Sequence, residues 1–190
     1  MNWGNLNDIC KEHEPIILDT SILRFEPNGM VLKDSRFNYY SGEYAKFMRN
    51  FIINTKNAMT IENVVEEIEN GLNNLNGCKA IKYKGPYQSL SCLLKRRLLE
   101  KPEYFEISLK TADNVKESCG LSETDSLLVA YMHAYSNSNK TIGLTNDRGI
   151  WNAAFKISSE TKVPVDLYTF NGSEFVKVTE ELFKLCKHNL

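Results

Sequence analysis

Short apolar segments alternate along the chain with longer segments whose apolar residues recur at helical spacing. The first short segment, residues 16–18, is apolar at every position and is preceded by Pro15. This pattern is typical of a strand buried on both faces, as in a parallel sheet covered by helices. The alternation therefore predicts an α/β fold with a mainly parallel sheet.

The same pattern places the remaining elements. Further strands are predicted at 58–61, 104–109, 141–144 and, as the last strand, 163–170. Helices are predicted at 20–23, 42–54, 62–71, 87–100, 111–119, 122–136 and 180–187. Residues 24–38 mix proline, glycine and charges without a period, which predicts a loop.

Length and composition limit the organisation of the chain. Its 190 residues, 42% of them hydrophobic, suit one domain with a sizeable core. Within that domain, 24–59 and 72–101 are predicted to be insertions or extended helical segments. The net charge of −1 excludes a global attraction to nucleic acid, so binding of this kind requires a local basic patch.

Cysteine usage and hydropathy bear on location. The five cysteines are an odd number without CxxC spacing, and the first residues carry no signal-peptide pattern. No apolar run approaches the ~18 residues of a membrane span. These features predict a reduced, cytoplasmic protein without a membrane partner.

Four acidic residues stand where predicted strands end or within predicted helices: Asp19, Glu67, Asp125 and Asp147. The carboxyl ends of parallel strands meet at one edge of a sheet, and carboxylates gathered there tolerate each other best around a cation. Each also has an ordinary explanation. Asp19 and Asp147 could cap helices, Asp125 fits a capping box with Ser122, and Glu67 is one of four glutamates in its helix.

Taken in order, four short motifs resemble the PIN-domain nucleases. The motifs are IILDTSIL at 16–23, VVEEI at 64–68, LSETDSLL at 121–128 and TND at 145–147. The resemblance implies a PIN-like three-layer α/β/α sandwich with helical insertions. One position departs from the pattern: Gly149 stands where many members carry a further acid.

The resemblance implies that Asp19, Glu67, Asp125 and Asp147 are catalytic and bind one or two Mg²⁺ or Mn²⁺ ions. Such cations prefer hard oxygen ligands and can support hydrolysis of a phosphodiester. Asp19 and Asp147 are expected to be the direct ligands, with the other two completing the site or acting through water. Thr20 and Thr145 are expected to orient carboxylates by hydrogen bonds, although strand ends favour threonine in any case.

The most basic stretch, 78–101, offers contacts for flanking phosphates. An amphipathic helix with an ordinary solvated face explains the same charges. The candidate nucleic-acid contacts are Lys82, Lys84, Lys95, Arg96, Arg97 and, beside the fourth motif, Arg148.

We therefore expect a metal-dependent ribonuclease acting on single-stranded or structured RNA, with the RNA preference implied by the family alone. Two alternatives stay open: a flap-type DNA nuclease, and a catalytically silent scaffold that binds nucleic acid. A protein partner or inhibitor is compatible with the sequence but is not identified by it. The chain has no Walker A, GxGxxG or GxSxG element, and Ser21 occupies the place of the second aspartate of haloacid-dehalogenase-type phosphatases.

Overall fold

The structure, a computed structural model, describes residues 4–23, 41–73, 78–170 and 174–187. Within them the chain forms five strands and nine helices. The strands are β1 Ile16–Leu18, β2 Ala58–Met59, β3 Ile142–Leu144, β4 Asp166–Phe170 and β5 Phe175–Lys177. The helices are α1 Gly4–Cys10, α2 Thr20–Leu23, α3 Ser41–Asn54, α4 Glu62–Asn73, α5 Cys78–Leu94, α6 Phe105–Cys119, α7 Glu123–Ser136, α8 Arg148–Thr161 and α9 Glu180–Lys187.

The five strands form one sheet in the order β2-β1-β3-β4-β5. The first four are parallel, with Ile17 opposite Met59 on one side and Gly143 on the other, and β5 is antiparallel to β4. Every residue of β1 and β3 is buried, as expected for central strands covered on both faces. The prediction of an α/β fold with a mainly parallel sheet is confirmed.

The helices pack in two groups that are compatible with a three-layer α/β/α fold. One group brings α2 against α4 and α5 against α3 and α4, while the other brings together α6, α7 and α8. Helix α7 lies very close to β3, because a Cβ at Gly143 would be 2.6 Å from the Met132 sulfur and 2.7 Å from Leu167. A side chain at position 143 would therefore require the side chains of Met132 and Leu167 to move.

Several predicted elements are confirmed, with shifts at their ends. Strands β1, β2, β3 and β4 and helices α2, α3, α4, α7 and α9 lie where the pattern predicts them. The predicted helix at 87–100 is the second half of the longer α5, which ends at Leu94. Leu98 instead forms a parallel bridge with Thr60 beside β2. The loop predicted at 24–38 lies outside the described residues.

The strand predicted at 104–109 is wrong, because these residues open helix α6. Its buried residues, Phe105, Ser108, Ala112 and Val115, follow helical spacing, and the helix ends at Gly120 in the left-handed conformation. Strand 163–170 is also not the last one, since β5 follows it. Helices α1 and α8 are additions that the pattern did not predict.

Across the described ranges, no helix is long and apolar enough to cross a membrane.

Candidate functional site

The order of the strands places a topological switch point between β1 and β3. These strands are neighbours, but the chain continues from β1 to β2 on one side and from β3 to β4 on the other. In open parallel sheets, ligands bind at the carboxyl ends of two such strands, where the connections diverge. Asp19 directly follows β1, and Thr145, Asn146 and Asp147 directly follow β3.

Asp19 is 3% exposed at this position. Its backbone N–H continues the sheet by donating to the Leu144 carbonyl at 3.1 Å. Three donors meet its Oδ2 atom: the Thr145 hydroxyl at 2.7 Å, the Ser21 N–H at 3.3 Å and the Ser21 hydroxyl. Among the described residues, no hydrogen bond is directed at Oδ1, so one oxygen is fixed and the other stays available.

The surroundings of Asp19 disfavour its charge. Burial raises the pKa of Asp19 to about 6, although the hydrogen bonds from Ser21 and Thr145 act in the opposite direction. Repulsion from the carboxylates of Asp125 and Asp147 raises this pKa further. Both residues therefore lie within electrostatic reach of Asp19.

Asp147 is held at the start of α8. It is the N-cap of that helix, and its Oδ1 accepts from the N–H groups of Gly149 at 2.6 Å and Ile150 at 3.1 Å. Its own N–H donates to the Thr145 hydroxyl at 2.9 Å. Thr145 thus contacts both aspartates, donating to Asp19 and accepting from Asp147.

Asp125 occupies the first turn of α7 in a capping box. Its Oδ2 accepts from the Ser122 N–H at 3.0 Å, and the Ser122 hydroxyl accepts from the Asp125 N–H at 3.1 Å. The capping role that the sequence allowed is therefore present. It involves one oxygen of the carboxylate and leaves the other without a hydrogen bond inside the described ranges.

Glu67 joins this group through Thr20. The Thr20 hydroxyl donates to Glu67 Oε2 at 2.6 Å, and helix α4, which carries Glu67, packs against α2. Because Thr20 is the neighbour of Asp19 in the chain, this bond holds Glu67 beside the carboxyl end of β1. We call the surface formed by Asp19, Glu67, Asp125 and Asp147 the acidic edge.

One arrangement is common to all four carboxylates of the acidic edge. Each has one oxygen in a hydrogen bond from a nearby hydroxyl or backbone N–H, and within the described part of the chain its second oxygen has none. However, no group of three or more His, Cys, Asp or Glu among these residues is compact enough to hold a metal ion. The four carboxylates are gathered and oriented without forming a closed ligand set.

The predicted basic contacts are dispersed. Lys95 pairs with Glu69 at 2.7 Å, and the Arg97 guanidinium donates to the Lys56 carbonyl, which precedes β2 and lies toward the opposite edge of the sheet. Lys84 and Arg96 are exposed, and the side chain of Lys82 lies outside what the structure describes. Arg148, half-buried in the first turn of α8, is the predicted cation next to Asp147 in the chain.

Two residues of this region were missed as site residues. The Ser21 hydroxyl donates to Asp19 and accepts from the Asn146 N–H at 2.8 Å. The Asn146 side-chain oxygen accepts from the Thr169 hydroxyl at 2.7 Å and from the Phe170 N–H at 3.0 Å, which ties the end of β4 to the site. The sequence signal for both is a small polar residue within two positions of an acid at a strand end.

Gly149, where the resemblance expects a further acid, has little room for a side chain. A Cβ there would be 3.0 Å from both Asp147 Oδ1 and the Cys119 carbonyl oxygen. A carboxylate at this position would approach two oxygens that already carry negative charge. Glycine therefore suits this position, because the start of α8 lies close to the end of α6.

Comparison of the chain with protein-family models, with curated proteins and with solved structures gives no significant match.

Proposed function

We propose that this chain is a divalent-metal-dependent nuclease of PIN-like fold that hydrolyses phosphodiester bonds, with RNA as its substrate. The observation that carries the proposal is the acidic edge, in which four carboxylates each keep one oxygen hydrogen-bonded and one oxygen available. Side chains oriented in this way need little reorganisation to bind a cation. The preference for RNA comes from the family resemblance.

The donor set fits Mg²⁺ or Mn²⁺. Asp19, Asp147, Asp125 and Glu67 would hold one or two such ions through carboxylate oxygens, the ligand type that these hard cations prefer. A bound cation would supply an activated water and positive charge for the leaving oxygen. A cation would also remove the repulsion that raises the pKa of Asp19, because it favours the charged carboxylate.

The residues of the chain contribute orientation. The hydroxyls of Thr145 and Ser21 donate to Oδ2 of Asp19, which leaves Oδ1 on the side away from these donors. The N–H groups of Gly149 and Ile150 fix Asp147, and Thr20 fixes Glu67. Burial of Asp19 keeps bulk water away from its carboxylate, which strengthens its attraction to a cation.

A second candidate function is a scaffold that binds nucleic acid without cleaving it. The absence of a compact set of three metal-ligating side chains in the described residues favours this candidate. The capping roles of Asp125 and Asp147 also give these two residues a structural reason to be present. A scaffold would use the carboxylates as helix caps and would not respond to metal.

Cleavage distinguishes the two functions. Labelled single-stranded RNA and DNA are incubated with the protein and Mn²⁺, with and without EDTA, alongside Asp19→Asn and Asp8→Asn. Asp8 is an exposed carboxylate on α1, so its change is chemically matched but remote from the acidic edge. We expect metal-dependent RNA cleavage that Asp19→Asn reduces at least 100-fold and Asp8→Asn leaves intact. Equal cleavage by all three proteins would refute the site.

Metal binding is measured separately by thermal unfolding. Ligands that bind the native state raise the melting temperature, so Mn²⁺ should stabilise the wild type and Asp8→Asn but stabilise Asp19→Asn less. Equal stabilisation of all three proteins would place the metal elsewhere. No metal-dependent shift together with no cleavage would support the scaffold.

A further inference from the structure

The positive charge of this chain is concentrated in two segments. Residues 41–57, which include α3, and 78–97, which include α5, hold nine lysines and arginines and a single acid, Glu43. The rest of the chain holds 14 basic and 23 acidic residues. The net charge of −1 therefore combines two regions of opposite sign, +8 and −9. The distribution of charge, more than its total, decides whether a surface attracts a polyanion.

Contacts between α3 and α5 combine these charges into one surface. The two helices pack against each other, and the Nε of Arg49 on α3 donates to the Ser89 hydroxyl on α5 at 2.9 Å. Beyond the ends of both helices, the Arg97 guanidinium donates to the Lys56 carbonyl at 2.6 Å. We give the name basic face to the surface formed by six side chains of this region: Lys46, Arg49, Lys56, Lys84, Arg96 and Arg97.

The side chains of the basic face are accessible and are not neutralised by neighbouring acids. Five of them are exposed, and Arg97 is half-buried. Within the part of the chain that the structure describes, none of the six forms an ion pair. Lys95 differs from them, because it pairs with Glu69 on α4 at 2.7 Å. The basic face therefore offers positive charge to a ligand.

Helix dipoles explain only half of these charges. Positive charge is favourable near the carboxyl end of a helix, which accounts for the three members of the basic face that follow the ends of α3 and α5. The other three, Lys46, Arg49 and Lys84, lie before the last turn of their helices, where this effect has faded. These three residues carry the case for a ligand.

The arrangement of the charges indicates the shape of that ligand. Exposed residues recur at four-residue spacing along α5 and just beyond it, at Lys84, Gln88, Cys92 and Arg96, which makes a stripe about 18 Å long. A stripe of this length suits an extended polyanion better than a single phosphate. Among the described side chains of α3 and α5, no aromatic ring is exposed. Contacts with phosphates are therefore favoured over stacking on bases.

We propose that the basic face holds the phosphate backbone of the RNA strand that the acidic edge cleaves, without reading its base sequence. The choice of RNA as the polyanion rests on the proposed function. Helix α4 connects the two surfaces, because it carries Glu67 of the acidic edge and also Glu69, which pairs with Lys95 beside Arg96. A strand bound on α3 and α5 thus reaches the acidic edge across α4.

The test measures binding without metal, so that cleavage does not interfere. The full chain is titrated in EDTA into a labelled single-stranded RNA of about 20 nucleotides, at salt concentrations of about 50 to 200 mM, and fluorescence anisotropy is recorded. Each phosphate contact contributes about −0.7 to the slope of the logarithm of the binding constant against the logarithm of the salt concentration. Arg49→Gln and Lys84→Gln should each make this slope shallower by about 0.7 and weaken binding about fivefold at 0.1 M salt.

Two further variants show whether charge on this face is responsible. Lys110→Gln removes an exposed positive charge from α6, outside the basic face, and should leave RNA binding unchanged. Arg49→Lys keeps the charge and should keep the wild-type slope. An equal loss of binding in Arg49→Lys and Arg49→Gln would assign the effect to the bond with Ser89 and contradict the proposal. Absence of RNA binding by the wild type would also overturn it.

An acidic protein segment is the competing ligand. Poly-glutamate of the same total charge is therefore added as a competitor to the labelled RNA. We expect it to displace the RNA less effectively than unlabelled RNA does. Equal displacement by poly-glutamate would overturn RNA as the ligand of the basic face.

The outcome for the basic face can be separated from the outcome for the nuclease. Asp19→Asn should bind RNA in EDTA at least as tightly as the wild type, because it removes no charge from the basic face. If Arg49→Gln and Lys84→Gln weaken binding but no metal-dependent cleavage occurs, the basic face stands and the nuclease fails. If RNA is cleaved but these two variants bind it as Lys110→Gln does, the nuclease stands and the basic face fails.

Discussion

The two edges of one sheet use the same side chains in opposite ways. At the acidic edge, the hydroxyls of Thr20, Ser21 and Thr145 all donate to carboxylates. At the opposite edge of the sheet, where β1, β3 and β4 begin and which we call the amino edge, the hydroxyls of Ser136 and Thr141 are buried without a partner in the described residues. The hydroxyls of the acidic edge are therefore fixed by neighbouring carboxylates, whereas these two hydroxyls are unpaired.

The edges also differ in what limits their stability. The acidic edge gives the hydroxyls of Thr20, Ser21 and Thr145 carboxylate partners, but it brings repelling charges together around the buried Asp19. The amino edge has paired charges but unsatisfied hydroxyls. Changes of pH should therefore act mainly on the first region, and removal of a hydroxyl should have opposite effects in the two regions.

The largest expected effect is the pH dependence caused by Asp19. Its folded-state pKa of about 6 lies above the ordinary aspartate value of 3.8. The unfolded chain therefore loses this proton more readily, and the contribution of Asp19 to stability is lost as the pH rises from about 4 to 6. The loss is on the order of 3 kcal/mol, and Asp19→Asn removes it. Denaturant unfolding of the metal-free proteins at pH 4 and pH 7 measures the difference.

Asp8→Asn is the control for this experiment, because Asp8 is exposed on α1. We expect Asp19→Asn to gain stability relative to the wild type between pH 4 and pH 7, whereas Asp8→Asn should follow the wild type. A difference between Asp19→Asn and the wild type that stays constant with pH would contradict the raised pKa of Asp19, which is caused chiefly by burial and further by repulsion from Asp125 and Asp147.

The next largest effect is expected from replacing Thr145, and the same change at Thr141 serves for comparison. Thr145→Val should reduce the free energy of unfolding by about 2 kcal/mol, since it removes a hydrogen bond to a carboxylate and leaves the Asp147 N–H unpaired. Thr141→Val removes a hydroxyl without a described partner, so it should be neutral or stabilising. Equal losses of unfolding free energy in Thr145→Val and Thr141→Val would contradict the difference between the two edges. Thr145→Ser, which keeps the hydroxyl, should recover part of the loss.

A smaller effect is expected from His133, which joins α7 to α6 and α8. The Thr161 hydroxyl donates to the Ile157 carbonyl, so it accepts from Nε2, and Nδ1 accepts from the Ser108 hydroxyl at 2.9 Å. Burial lowers the pKa of His133 below 6.5. The unfolded chain therefore takes up this proton first, and stability is lost as the pH falls below 6.5.

This direction is opposite to that of Asp19, so the contributions of His133 and Asp19 to the pH dependence of stability can be distinguished. His133→Gln should show a shallower loss of stability between pH 7 and pH 5 than the wild type does. The assigned imidazole resonance of His133 should titrate below pH 6.5. Titration of His133 above pH 6.5 would contradict its neutral, buried state.

The smallest effect is expected from the ion pair between Lys177 and Asp166, at the amino edge. Lys177 and Asp166 are 49% and 39% exposed, and solvent screens pairs of this kind. Lys177→Met should change the free energy of unfolding by less than about 1 kcal/mol, and added salt should reduce the change. A double-mutant cycle with Asp166→Asn isolates the pair. A coupling well above this value would mean that charge, as well as hydrogen bonding, stabilises the amino edge.

The parallel sheet was predictable because its central strands are continuous apolar runs bounded by polar residues. The strand predicted at 104–109 was wrong because Phe105 and Ser108 belong to a helical period that extends to Ala112 and Val115, and a short window showed only its alternation. Helix α8 was missed because its start is a turn-like sequence. The sequence allowed Asp147 to be a cap, but only the fold shows the helix that it caps and the burial of Trp151 in the core.

Part of the candidate site could also be predicted from the strand pattern. Residues at the carboxyl ends of neighbouring parallel strands approach each other whatever their side chains, so Asp19 and Asp147 could be paired from the strand pattern. The contacts of Ser21 and Asn146 with each other and with β4 could not be predicted from the strand pattern. They depend on the register between β1, β3 and β4, which no local pattern specifies.

The hydrogen bonds that hold Asp19 also make the acidic edge a late product of synthesis. Asp19 and Thr145 are 126 residues apart in the chain, and Asn146 reaches 24 residues further, to Phe170. A ribosome that has released only α1 to α7 exposes Asp19, Glu67 and Asp125 without the strand and hydroxyl that bring them into register. The acidic edge can therefore assemble only after β3 and β4, up to Phe170, have left the ribosome.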